Sequence, residues 1–269
     1  MIGYAALSFK MSFHQSETIR YFQFDTIQVR HAIFTRHGGL SPEPWSSLNV
    51  GGTVGDESTR VRANRNLSLQ ALGCDPATVF DVWQVHSADV VHATAPRPDS
   101  EPTKKADIIL TDNPTLTLYM RFADCVPIMV HDPRTGVIGV AHAGWMGTLR
   151  DVAAATVTAM QKQYGSKPAD IIAGIGPSIG PDHYEVGADV IEQVKQKFGD
   201  ESDKVLYSQP NGRIHFDLWK ANQILLEHAG VHNIEIAQVC TACNTNDWFS
   251  HRAEKGRTGR FGALITLDS

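Results

Sequence analysis

Two imidazoles and a thiol stand out as residues that could share one ion. His86 closes the run TVFDVWQVH, Cys125 follows TLTLYMRF within ADCVP, and His142 closes GVIGVAH. Each run is β-branched or alternating and reads as a strand. All three donors therefore stand at the carboxyl ends of strands, the edge where α/β proteins gather their ligand sites. Two histidines and a cysteine with a fourth position open match the donor set of a catalytic zinc site. Their spacing matches no local metal motif, and the chain has 12 histidines. A buried, hydrogen-bonded imidazole is the alternative reading at each position.

Other residues carry paired readings. Asp124, next to the cysteine, suits a general acid or base, or a loop carboxylate accepting backbone N–H bonds. Asn49 in SLNVG suits a substrate hydrogen bond, or the backbone needs of a glycine-rich turn. Arg65 lies on a helical stretch, where a solvated face is the alternative. His37, beside Gly38 and Gly39, faces a pocket or sits in the turn. GIGPSIG (174–180) lacks the Lys-Ser/Thr ending of a P-loop and reads as a tight turn lining the site. CTAC (240–243) has no second CxxC for a four-thiolate zinc site and opens no helix in a thioredoxin-like pattern, so Cys240 and Cys243 read as structural, with redox use as the alternative.

The elements that must position these residues follow from periodicity and caps. Helices are expected over 56–73 with Asp56 as cap, over 147–165 with Thr148 as cap and Asp151 in capping-box spacing, over 187–199, and over 217–230 between Asp217 and Gly230. Strands are expected over 78–86, 106–112, 115–122, 136–142, 170–176, 234–240 and 263–267. Adjacent strands come first and helices between strands later, which argues for a layered α/β architecture with mixed sheets in one domain, 1–269. Roughly residues 1–18 read as a leader without the basic start or long apolar run of a signal peptide, and 94–105 as an exposed loop.

Composition bounds the function. The 269 residues carry 42% hydrophobic and 20% charged side chains with a net charge of −5. That balance disfavours a nucleic-acid partner, and no apolar run approaches a membrane span. Four cysteines in such a chain do not make a disulfide framework, and a cytoplasmic location is expected. Nothing in the sequence identifies a protein partner.

The segments TRHGGLS (35–41), SLNVGGTVGD (47–56), QVH (84–86), ADCVPI (123–128), HAGWMGT (142–148), GIGPSIGP (174–181), CTAC and WFSHRAEKGRTGRFGALI (248–265) run almost end to end. With them the chain resembles the family first described as multicopper polyphenol oxidase or laccase-like, later as purine nucleoside phosphorylases and as peptidoglycan editing factors. The resemblance implies an α/β (α+β) fold, an α/β/β/α sandwich like that of the cysteine hydrolase fold group. It implies His86, Cys125 and His142 as metal ligands, usually for zinc. It implies phosphorolysis of adenosine, inosine or guanosine, with methylthioadenosine cleavage and adenosine deamination as further activities and with nucleoside and phosphate as partners. Catalytic roles are expected for Cys125, Asp124 and Arg65, and substrate contacts for Asn49, His37 and Arg36. The alternatives are a cysteine or metal hydrolase acting as an amidase on a cell-wall precursor, and a copper-dependent polyphenol oxidase. Copper occupies zinc-type donors by raw affinity, but one cysteine and two histidines do not build several copper centres. The family's HAGWRG has Met146 for its arginine here, and its QVHG has Ser87. Losing a guanidinium shifts phosphate binding to another cation, with Arg65, Arg36 and Arg260 as candidates.

Overall fold

A computed structural model describes residues 13–98 and 100–267. Its strands in chain order are β1 (Phe13–Ser16), β2 (Ile19–Phe22), β3 (Arg30–Phe34), β4 (Val79–Asp81), β5 (Val90–His92), β6 (Ile108–Thr111), β7 (Thr117–Phe122) and β8 (Val126–Asp132). They continue with β9 (Val137–Ala143), β10 (Ile172–Ile175), β11 (Leu206–Ser208), β12 (Ile214–Phe216), β13 (Asn233–Ile236) and β14 (Phe261–Thr266). The helices are α1 (Ser58–Ala71), α2 (Trp145–Leu149), α3 (Val152–Tyr164), α4 (Ala188–Phe198) and α5 (Leu218–His228).

Two six-stranded mixed sheets, ordered β1-β2-β3-β14-β7-β4 and β13-β10-β8-β9-β6-β5, stack face to face. Alternation along each strand explains the stack. Met129 of β8 and Ile138 and Val140 of β9 point to the same inner layer as Leu118, Met120 and Phe122 of β7. The intervening Val126, Ile128, Val130, Val137 and Ala141 point the other way, onto α3, α4 and α5. On the far side of the first sheet, Tyr119 and Leu264 pack with Leu69 of α1. The result is the expected α/β/β/α sandwich. By the same alternation His142, two residues past Val140, faces the layer between the sheets, where its ring lies 5.5 Å from that of Phe122.

Several expected boundaries are corrected. Of the expected leader, residues 13–16 are strand β1, paired with β2 from Phe13 to Phe22; residues 1–12 lie outside the described residues. The expected strand over 78–86 ends at Asp81, and the chain then crosses from the first sheet to the second. The expected helix over 147–165 is two helices. Asp151 breaks it by adopting a left-handed φ of 66° and caps α3, accepting from the Ala154 N–H. Thr148 is buried and accepts from Asn222 instead. Helix α1 is capped at Glu57, not Asp56. Strand β8, central in its sheet between β10 and β9, has no counterpart among the expected strands.

Candidate metal centre and active site

The three sequence-predicted ligands come together. One donor atom from each of His86, Cys125 and His142 lies within 4.8 Å of the other two, and Cys125 Sγ is 3.9 Å from His86 Nε2. Tetrahedral bonds of about 2.0–2.3 Å imply donor–donor edges of roughly 3.3–3.8 Å, so the set closes on an ion with little movement. His142 is the next-to-last residue of β9 and Cys125 precedes β8. The two are neighbours because Val126 pairs with Ala143 and Pro127 with His142. His86 is no strand end; it sits in the crossing loop at φ 59°. Gly144 makes the convergence sterically feasible. A Cβ there would lie 2.8 Å from Cys125 Sγ and 3.2 Å from His86 Cδ2.

A carboxylate missed in the sequence organises the ligands. Asp107 is fully buried. It accepts from His142 Nδ1 at 2.8 Å, from the N–H groups of Val85, His86 and Ser87 at 3.1, 3.0 and 2.7 Å, and from Ser87 Oγ at 3.0 Å. With Nδ1–H committed to Asp107, His142 would have Nε2 available for an ion, the outer-shell arrangement usual for ligating histidines. Three backbone bonds to the same carboxylate hold the loop that carries His86. Without an ion, the protein groups hold Cys125 and His142 as a thiolate–imidazolium pair. Burial pushes the Cys125 thiol up, but His142 and then His86 outweigh it and bring its pKa down to about 6. Burial pulls His142 down, and Cys125 and Asp107 overcome this to lift it to about 9. Burial would raise Asp107, yet His142 and the backbone donors hold it at about 2. The sulfur is thus ready to ligate as a thiolate, whereas the His142 imidazolium has to give up its Nε2 proton when an ion binds.

The centre opens into a cavity of about 720 Å³. A second cluster lines the same cavity. The buried Asp81 is shared by three arginines: Arg97 at 2.6 Å, Arg121 at 3.2 Å and Arg65 at 3.8 Å. Three positive groups around one carboxylate leave a surplus of two charges. Burial first, and then the neighbouring Arg65, depress the Arg121 guanidinium, a strain that a bound anion relieves. Trp83, an exposed aromatic, and Tyr184 line the same cavity. Burial pushes the Tyr184 phenol up, so it stays a hydrogen-bond donor at neutral pH.

The remaining expected residues divide. Arg65, Asp124 and Arg260 line the cavity. Asp124 accepts from Thr241 Oγ1 at 2.7 Å and from the Arg252 N–H at 2.6 Å, so its carboxylate ties loops beside Cys125, in a residue with φ 78°. Asn49, Arg36 and His37 are not among the residues lining the cavity. Asn49 is fully buried and satisfied, holding Gly51, Arg260 N–H and Asp56. Arg36 bonds the carbonyls of Ser46 and Thr245 and lies over the Phe249 ring. His37 pairs with Asp247 at 2.7 Å. Met146 is half-buried in α2 and also off the cavity lining. Asp107, Asp81, Arg97 and Arg121 were missed. Their signal was charge inside runs read as strands, and for Arg97 a place in a stretch read as exposed loop.

No helix among the described residues is long and apolar enough to cross a membrane. The chain is 38% identical to the purine nucleoside phosphorylase of Deinococcus radiodurans over 241 residues, 90% of each chain. It is 38% identical to a purine nucleoside phosphorylase of Streptomyces coelicolor over 91% of this chain and 99% of that one. The crystal structure of YlmD from Geobacillus stearothermophilus superposes with a TM-score of 0.89 at 33% identity, covering 96% of this chain and 100% of that one. The hypothetical protein YfiH of Bacillus licheniformis gives 0.87 at 34% identity over 95% and 99%. Residues 30–268 match the family described as multi-copper polyphenol oxidoreductase laccase. The chain belongs to that family, and the curated relatives it resembles carry the name purine nucleoside phosphorylase.

Proposed function

We propose that the chain is a zinc-dependent purine nucleoside phosphorylase acting on adenosine, inosine and guanosine, with methylthioadenosine phosphorolysis and adenosine deamination as further activities. One observation carries the reading: a single cavity is lined by both a His-Cys-His donor set and an arginine cluster with surplus positive charge. The names of the relatives support nucleoside and phosphate as the small-molecule partners. Four cysteines held as thiols suit a reducing compartment, and we assign the activity to the cytoplasm.

In this reading Arg65, Arg97 and Arg121 bind phosphate, and Asp81 holds their guanidinium forks in place before it arrives. The base stacks against Trp83, and the Tyr184 hydroxyl donates to it. A phosphate oxygen attacks the ribose anomeric carbon. The bond from that carbon to the purine nitrogen breaks, its electron pair leaves with the base, and a proton from water completes the free purine. The sugar leaves as ribose 1-phosphate. Arginine charge opposite the cationic sugar is tolerable only because phosphate neutralises it, so turnover should require phosphate. His86, Cys125 and His142 would hold zinc, with Asp107 fixing the tautomer of His142. When bound, zinc supplies Lewis acidity and water activation, the chemistry that deamination at purine C6 needs. The test is base release from inosine and adenosine with and without phosphate. Phosphate-dependent release with ribose 1-phosphate supports the reading; equal release without phosphate refutes it.

A second reading rests on the same residues. Cys125, His142 and Asp107 lie in the order thiolate, imidazolium, carboxylate of a cysteine hydrolase. The readings part at Cys125→Ala. Loss of a ligand lowers bound metal well below the wild-type content, as His142→Ala should also do. A nucleophile would leave metal content intact and would form a covalent acyl adduct in the wild type.

A further inference from the structure

Outside the cavity, a second cluster of metal-type donors has no role in the chemistry above. Asp182, His183, Cys240 and Cys243 each place one donor atom within 4.8 Å of the others. We propose that these four residues form a second, structural site for a zinc-type divalent ion. Cys243 Sγ is 2.9 Å from Asp182 Oδ2 and 3.3 Å from His183 Nδ1. Cys240 Sγ is 3.9 Å from the same Nδ1, and that nitrogen is 3.1 Å from Asp182. These lengths straddle the roughly 3.3–3.8 Å edges of a tetrahedron built on bonds of about 2.0–2.3 Å.

The backbone is arranged for a ligating sulfur. Cys240 Sγ accepts from the N–H of Gly180 at 3.2 Å and from that of Cys243 at 3.4 Å. Such N–H donors lower the charge on a thiolate and fold a CxxC into a knuckle with both sulfurs on one side. Gly180 is required by the closeness of the two segments, since a Cβ there would meet Asp182 Oδ1 at 2.7 Å and Cys240 Cβ at 3.1 Å. Cys240 is buried, while Asp182, His183 and Cys243 are exposed, so an ion reaches the site from solvent. Two soft sulfurs, one imidazole and one carboxylate select zinc over magnesium or calcium. Four protein donors leave no open position, which marks the site as structural. Binding displaces the thiol protons, including the one Cys243 shares with Asp182.

The position gives the ion a task. It would clamp the segment carrying Ile179 and Tyr184 to the turn carrying Thr241. Ile179 N–H bonds the Asp124 carbonyl at 3.0 Å, and Thr241 Oγ1 bonds the Asp124 carboxylate. Asp124 directly precedes Cys125, so the clamp supports one wall of the cavity.

The test is metal content of the full chain, loaded with zinc under reducing conditions, freed of excess ion and assayed after unfolding. The wild type should hold about two ions per chain, and Cys243→Ser and His183→Ala about one. Cys243 and His183 are exposed, and either variant that retains wild-type circular dichroism serves. With cobalt as the probe, thiolate-to-metal charge transfer should persist in Cys125→Ser and vanish when Cys243→Ser is added. One ion in the wild type with no further loss in Cys243→Ser overturns the proposal. So does a mass showing a Cys240–Cys243 disulfide that persists under those conditions.

Discussion

Asp107→Asn separates the geometry of the metal centre from its ligands, because no donor atom is removed. The wild-type carboxylate accepts five hydrogen bonds and is fully buried. Asparagine keeps one acceptor oxygen and turns an NH2 toward N–H groups that also donate. At least one backbone N–H of residues 85–87 then loses its partner. With the NH2 in the Oδ1 position the His86 and His142 donors lose their acceptor, and with it in the Oδ2 position the Val85 and Ser87 N–H groups lose theirs, so either the ring or the loop that carries His86 is released. The carboxylate pKa of about 2, against about 3.9 in an unfolded chain, corresponds to roughly 2–3 kcal/mol of stability at neutral pH. Because Asp107 is shielded from solvent, that figure is not reduced by screening. It predicts a fall in melting temperature of roughly 5–10 °C for the metal-free protein.

Zinc affinity should fall about 10–100-fold, the usual cost of removing an outer-shell partner. Competition with a chromophoric chelator at pH 7 reads the affinity, and thermal unfolding of the chelated protein reads the stability. Asp107→Glu should recover part of the affinity by restoring charge with imperfect reach. Unchanged zinc affinity in Asp107→Asn would show that His142 is oriented by packing alone, and would refute the carboxylate as organiser of the centre.

Three other perturbations test separate links. Gly144→Ala should lower zinc affinity at least tenfold with a smaller change in stability, because its Cβ would meet Cys125 Sγ at 2.8 Å; a metal titration checks this. Arg97→Gln should raise the phosphate KM about 10–100-fold, the loss of one charge-assisted contact of about 1.5–3 kcal/mol, while nucleoside KM moves less. Acid should destabilise the fold. At Asp56 and Asp132 burial opposes ionisation, but side-chain and backbone donors outweigh it and hold both pKa values low. Their folded values lie below their unfolded ones, so their contribution is complete above about pH 4 and is lost as pH falls through the folded values. Urea unfolding at pH 7, 4 and 3 measures it, and Asp56→Asn should flatten the profile.

How much of this was legible in the sequence depends on which interaction fixed each residue. The helices α4 and α5 were readable from period and caps because local bonds determine them; Asp217 caps α5 by accepting from Lys220 N–H, as its position suggested. The run 78–86 reads as one strand in the sequence because residue type alone carries no record of where pairing stops. After Asp81 the chain leaves β7, and the Gln84 side chain takes over the ladder by bonding both the N–H and the carbonyl of Arg121. Burial does not alternate here: Phe80, Asp81 and Val82 are all buried, Trp83 is exposed, and Gln84, Val85 and His86 are half-buried while the backbone crosses between sheets. Strand β8 escaped notice because Pro127 argues against a central strand. The fold accommodates it at the sheet end, where β10 pairs only from Ile128 onward.

The site itself was half legible for a related reason. Ligands are recognisable by type, so His86, Cys125 and His142 could be named and even placed near one edge. Their supports are recognisable only by contact. Asp107 and Asp81 are ordinary carboxylates in strand-like runs, and each becomes distinctive only when the fold brings it three backbone N–H groups and an imidazole, or three guanidinium groups. A charged residue inside an apolar alternating run, which desolvation would otherwise penalise by several kcal/mol, was the signal present in the sequence. By that criterion Asp81, Asp107 and Arg121 each demand a partner on sequence position alone, and the partners they find are the walls of the cavity.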